Sequence, residues 1–192
     1  MASDGTSADR QPPVVGLAGS ITSPSRSGAL VARVLELLAA AGQPGELIPL
    51  SDPPADALLG RRRDPALDAA LALASNASIV VLGTPIYRAS YTGQLKAFFD
   101  LLPRDALAGS VVGLIATGAV AEHALAIDHA LRPLVASLAG LSAARSVYVT
   151  DADLGAFPAG PLPADVDARL KDLSAKLRKR TASEPVQLDP PR

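Results

Sequence analysis

Five short runs of apolar, mostly β-branched residues punctuate the chain, at 14–18, 46–50, 79–83, 111–116 and 146–150. Runs apolar on both faces, separated by segments of helical period, predict a parallel sheet covered on both sides. Residues 27–41 place Leu30, Val34, Leu37 and Leu38 on one stripe, with Gly42 just past the end, where a left-handed residue closes a helix. Residues 65–76 predict a second helix, with Asp64 as N-cap, Pro65 at the first helical position and Asn76 closing it. In the third, 91–102, Leu95, Phe98, Phe99 and Leu102 share a face and Pro103 stops the helix. The fourth, 122–138, contains Pro133, which removes a backbone donor and predicts a bend or local break. A last helix covers about 163–180. The fold class is α/β, a doubly wound parallel sheet of five strands in the order 2-1-3-4-5, with a dinucleotide-fold order as the alternative.

Composition narrows the chemistry. A chain of 192 residues with 48% apolar content supports one core. It is read as one domain over 13–182, between tails at 1–12 and 183–192 that are expected to be disordered. The net charge of -1 gives no field favouring nucleic acid or an acidic membrane surface. With no cysteine, and imidazole only at His123 and His129, disulfide and thiolate chemistry are excluded and no metal site is expected. The start carries Asp4, Asp9 and Arg10 and no apolar run, and no stretch is long enough to span a bilayer, so the expected location is the cytoplasm. Redox chemistry in such a chain needs a bound cofactor.

In open α/β sheets ligands bind beyond the carboxyl ends of the strands, which directs attention to the loops at 19–27, 84–92 and 117–122. The first gathers Ser20, Ser25, Arg26 and Ser27 immediately before a helix. Unpaired backbone N–H groups, hydroxyls and a guanidinium at a helix N-terminus suit a monophosphate. The bland alternative is a serine-rich turn that only caps the helix. Neither a Lys-Ser/Thr ending nor Gly-x-Gly-x-x-Gly is present there, which disfavours ATP and dinucleotide phosphates. The second loop holds Thr84, Pro85, Ile86, Tyr87 and Arg88, and with Tyr91 carries two of the three tyrosines. A rigid loop with apolar edges and backbone donors suits a flat aromatic ligand.

The segment 83–103 resembles the ring-binding segment of NADPH-dependent FMN reductases, particularly those that supply reduced flavin to alkanesulfonate and methanesulfonate monooxygenases. Ala18-Gly19-Ser20 with Ser25-Arg26-Ser27 is similar to that family's phosphate loop, and Ala116-Thr117-Gly118 followed by Glu122-His123-Ala124-Leu125 to its third flavin loop. The resemblance implies a flavodoxin-like three-layer fold, phosphate contacts from Ser20, Ser25, Arg26 and Ser27, and ring contacts from Thr84, Pro85, Ile86, Tyr87, Arg88, Thr117 and Gly118. The chain departs from it at Ala119-Val120, where relatives often have Gly-Thr. Residues 126–133 resemble the stretch where sulfonate-linked reductases carry an inserted Tyr or His in a π-bulge, and His129 occupies that slot as a modulator of flavin transfer. The alternative for His129 is an ordinary half-buried helix residue.

The implied activity is hydride transfer from NADPH or NADH to FMN, with FMNH2 passed to a transient flavin-dependent monooxygenase partner in organosulfur metabolism. A quinone or azo reductase with tightly held FMN is the alternative reading. A flavodoxin-like electron carrier is disfavoured, because a net charge of -1 offers no acidic docking surface. The resemblance also implies a homotetramer built on the third and fourth helices, whose Phe98, Phe99 and His129 faces are candidates for exposure. Lys96 and Asp100 are spaced for a local ion pair, to which the family adds an intersubunit role, and Arg61-Arg62-Arg63 reads as a solvated loop.

Overall fold

The computed structural model describes residues 13–142 and 146–181, and the tails expected at 1–12 and 183–192 lie outside the described residues. The strands are β1 (Val14–Ala18), β2 (Gly45–Pro49), β3 (Ile79–Pro85), β4 (Val111–Gly118), β5 (Leu141–Ser142) and β6 (Val147–Thr150). The helices are α1 (Arg26–Ala39), α2 (Ala55–Leu58), α3 (Pro65–Ser75), α4 (Gly93–Asp100), α5 (Arg132–Ala136), α6 (Asp151–Leu154) and α7 (Ala164–Thr181). Among the described residues these strands pair in parallel in the order β2-β1-β3-β4-β5, with β6 also beside β4. The order 2-1-3-4-5 is the expected one, but its last place is shared: β5 pairs with the start of β4, Val111↔Leu141, and β6 with its end, Gly118↔Thr150.

Successive residues of a strand face opposite sides, and the two cores follow that alternation. Val15, Leu17, Val80, Leu82, Val112 and Leu114 meet α3, α4 and α5 on one side. Val14, Ile79, Val81, Val111 and Ile115 meet α1 and α7 on the other. Phe98 and Phe99 belong to the first core, at 0% and 3% exposure with their rings edge to face, 6.3 Å apart. The expectation that this helix face stands exposed is therefore corrected: the sheet of the same chain covers it. The argument for a tetramer built on that face goes with it.

Local sequence explains the helix boundaries. Asp64 caps α3 by accepting from the Leu67 N–H at 3.0 Å, with Pro65 first in the helix. Gly42 lies past α1 at φ 83°, and Gln43 N–H donates back to Leu38 at 2.9 Å. The long fourth helix is segmented instead: a 3₁₀ turn at Ala121–Ala124, a π-helical turn at Ile127–Leu131 and then α5. Arg132 N–H reaches the Ile127 carbonyl, five residues back, and Pro133 has no N–H with which to restore the four-residue pattern. His129 sits within this π turn, solvent exposed.

Candidate functional site

The three loops foreseen from sequence converge on one cleft of about 220 Å³. Ser20, Thr22, Ser25, Arg26 and Ser27 line one side, Pro85, Ile86 and Tyr87 a second, and Thr117, Gly118, Ala119 and Asp151 a third. A larger groove of about 700 Å³ beside edge strand β2 has Glu46, Asp52 and Asp64 as its charged residues. Three carboxylates in an otherwise apolar lining disfavour a phosphate, whereas the smaller cleft carries the cation and the hydroxyls.

The cleft's phosphate side is built by the entry into α1. Ser25 is the N-cap, in extended conformation, accepting from Gly28 N–H at 3.0 Å. Ser20 accepts from Thr22 N–H at 3.2 Å and is 3% exposed. Ser27, 1% exposed, has a hydroxyl with no hydrogen-bond partner. A buried hydroxyl left unpaired costs roughly 1–3 kcal/mol. The arrangement fits a phosphoryl group: its oxygens would supply the acceptor that Ser27 lacks, at the positive end of the α1 dipole.

Arg26 is less available than its place in the loop suggests. Its guanidinium donates to Asp151 Oδ1 at 2.8 Å, to the Gly155 carbonyl at 3.1 Å and, through Nε, to the Phe157 carbonyl at 3.2 Å. With five N–H donors in all, two are left to face an anion. Asp151, the partner that brings Arg26 to the third side of the cleft, was not foreseen. Its readable signal was its position directly after the last apolar run, at the carboxyl end of β6.

The ring side is held from behind. Thr84, 0% exposed, is absent from the lining; its hydroxyl donates to the Pro85 carbonyl at 3.0 Å and accepts from Thr92 N–H at 3.4 Å. Ile86 N–H donates to the Thr117 carbonyl at 2.7 Å, joining the second loop to the third. Tyr87 and Ser90 exchange backbone hydrogen bonds of 2.9 and 3.1 Å across a two-residue turn in which Arg88 and Ala89 have φ of 52° and 60°. Left-handed backbone at two adjacent non-glycine residues is strained, and it turns Tyr87, 49% exposed, over the mouth of the cleft. Arg88 is exposed and is not part of the lining.

The remaining sequence candidates have plain surroundings. Lys96 pairs with Asp100. Arg62 meets Asp56 at 2.7 Å and Arg63 meets Asp68 at 3.0 Å, so acidic neighbours already balance that loop. Among the described residues no cluster of three His, Asp or Glu gathers as a metal site, and no helix is long and apolar enough to cross a membrane.

Comparison with known proteins bears on this cleft. Residues 12–153 match the family described as NADPH-dependent FMN reductase. An FMN reductase (NADPH) of Pseudomonas putida is 35% identical over 160 residues, covering 83% of this chain and 81% of the relative. The NADH-dependent FMN reductase SfnE of Pseudomonas putida is 37% identical over 148 residues, covering 75% and 80%. The crystal structure of an NADH:FMN oxidoreductase in its apo form superposes with a TM-score of 0.81 at 33% identity, covering 91% of this chain and 92% of that one. A flavodoxin from Streptococcus pneumoniae shares the fold at 14% identity and a TM-score of 0.59. With the match running through all three cleft loops, the chain belongs to the NADPH-dependent FMN reductase family.

Proposed function

We propose that this protein transfers a hydride from NADPH or NADH to FMN and releases FMNH2 to a flavin-dependent monooxygenase acting in sulfonate or other organosulfur metabolism. The observation that carries the reading is the unpaired, buried Ser27 hydroxyl beside a capped helix N-terminus, in the cleft where the three loops meet. Ser20, Ser25 and Ser27 hold the phosphate, with the spare Arg26 donors adding charge. Pro85, Ile86, Tyr87, Thr117 and Gly118 flank the ring, while Thr84 and Arg88 shape the loop that presents them. A bound flavin would supply the redox chemistry as the hydride acceptor. The chain's part is to orient and to exclude water, and it needs no side-chain acid or nucleophile for that.

The relatives named NADH-dependent FMN reductase SfnE and SfnF support an FMN reductase activity. The link to a monooxygenase rests on the resemblance read in the sequence. The reading places the enzyme in the cytoplasm, where nicotinamide cofactors are available. Self-association into a tetramer belongs to the same reading. It draws support from Ile21, Tyr87, Val120 and Leu125, apolar residues 46–59% exposed on or just beyond the cleft loops, and from His129, exposed on the π turn.

Titration with FMN and riboflavin tests the phosphate assignment: FMN binds at least tenfold tighter, and equal affinities refute it. Steady-state kinetics then separate reductase from quinone or azo reductase. Saturable turnover of free FMN supports the first; ping-pong quinone reduction by permanently yellow protein supports the second.

A further inference from the structure

Gly118, Ala119, Val120 and Ala121 follow Thr117 in the third loop, so the loop offers a ligand no side-chain hydroxyl beyond Thr117. Ala119 lines the cleft, and the backbone N–H groups of Ala119 and Val120 find no acceptor among the described residues. Backbone donors are useful only as far as the backbone is held in place.

Two donors hold it, both on one oxygen. The Val120 carbonyl accepts the Tyr148 hydroxyl at 2.5 Å and the His123 N–H at 3.2 Å. Tyr148 sits on β6 beside Ala116, and its ring must pass over position 118 to reach residue 120. That position is glycine: a Cβ there would stand 2.6 Å from the Tyr148 hydroxyl oxygen and 3.2 Å from His123 Nδ1. The tyrosine is fixed from below as well, packing on the first core while Arg169 donates to its carbonyl. Burial, with Asp151 and Glu122 nearby, pushes the phenol above its ordinary pKa and keeps the hydroxyl protonated as a donor.

We infer that Tyr148 is a positioning residue for flavin binding, its hydroxyl pinning the Val120 carbonyl across Gly118 so that the 117–120 loop holds its backbone donors toward the ligand. The inference rests on the FMN reading for its ligand and on the hydrogen bond alone for its mechanics. Tyr148 is not among the residues that line the cleft; it acts through the loop. Phenylalanine at the same place keeps the ring over Gly118 and the packing on β4, and removes only the pin.

The test compares Tyr148→Phe with the unaltered protein in two measurements. The first is amide hydrogen exchange of the ligand-free protein: exchange is expected to rise at His123, whose N–H donates to the same Val120 carbonyl, and stay unchanged in β1 and β3, with the melting temperature little altered. The second is FMN titration: affinity is expected to fall about fivefold, the scale of one lost hydrogen bond, with the change in KM for FMN and kcat largely retained. Unchanged exchange at His123 overturns the pin whatever the ligand proves to be. Raised exchange with unchanged FMN affinity overturns the link from loop to ligand. If the unaltered protein binds no FMN, the flavin reading fails, and the exchange result still decides whether Tyr148 holds the loop.

Discussion

The side-chain hydroxyl of Thr92 donates to the backbone carbonyl of Gly19, 2.5 Å away and 73 residues earlier in the chain. The same oxygen accepts from Leu95 N–H at 3.2 Å, so one buried threonine both caps α4 and ties the phosphate loop to the ring loop. Thr92→Val keeps the shape and loses both bonds. It is expected to destabilise the protein by about 2 kcal/mol and to weaken FMN binding, with Thr92→Ser recovering most of each. Urea unfolding and flavin titration measure the two effects, and a loss of stability without loss of affinity would separate the cap from the tie.

Ser27 gives a prediction with opposite signs. Removing an unpaired buried hydroxyl relieves its desolvation, so Ser27→Ala is expected to leave the ligand-free protein as stable or more stable by up to about 1 kcal/mol. The same change removes a donor to the phosphate, and FMN affinity is expected to fall about tenfold. Melting temperatures with and without FMN read both terms. A variant destabilised when ligand-free would mean that the hydroxyl already has a partner.

The turn at Arg88-Ala89 stores strain that a different sequence removes. Both residues have positive φ, a conformation that asparagine and glycine adopt readily in two-residue turns. Replacing the pair by Asn-Gly is expected to stabilise the fold by about 1 kcal/mol with the position of Tyr87 preserved. Chemical denaturation checks it, and a destabilised variant would contradict the turn geometry.

Outside the cleft lining, Asp167 joins α7 to α1 through Arg33 Nε at 2.8 Å and also pairs with Lys171 at 2.7 Å. Arg33 first, then Lys171, hold its carboxyl below the ordinary value. A lowered carboxyl pKa in the fold means that the ionised form stabilises it. That contribution is complete above about pH 4 and is lost as pH falls through the folded-state pKa. Asp167→Asn is expected to cost about 1 kcal/mol at neutral pH, and the difference between the two proteins should shrink below about pH 4. A constant difference on acidification would remove Asp167 from the acid response.

The residues that were legible in sequence are those whose signal is local. β1, β3 and β4 are buried on both faces and so read as unbroken apolar runs, and the caps at Ser25 and Asp64 act within three residues of themselves. β5 was invisible because Leu141–Ser142 is two residues long and exists only through pairing with the start of β4. Helix α6 had a readable signature in the Thr150–Asp153 capping box, at a length too short for periodicity. The cap at Thr92 was not read, because the apolar period carried the expected helix back to 91 and placed Thr92 inside it. In the cleft, residue types and loop positions were enough to name the three loops. Partners were beyond reach: the bonds from Arg26 to Asp151, Gly155 and Phe157 span 125 to 131 residues, and nothing local announces them. Phe98 and Phe99 mark the complementary limit, since an apolar helix face looks the same whether its own sheet or another subunit covers it.

The most direct test of the account is oxidation of NADPH and NADH by the purified protein as free FMN is raised, with riboflavin in parallel. The account predicts saturable oxidation with FMN at a lower KM than with riboflavin, the gap narrowing in Ser27→Ala. No nicotinamide oxidation on adding FMN, or the same KM for both flavins, would contradict it.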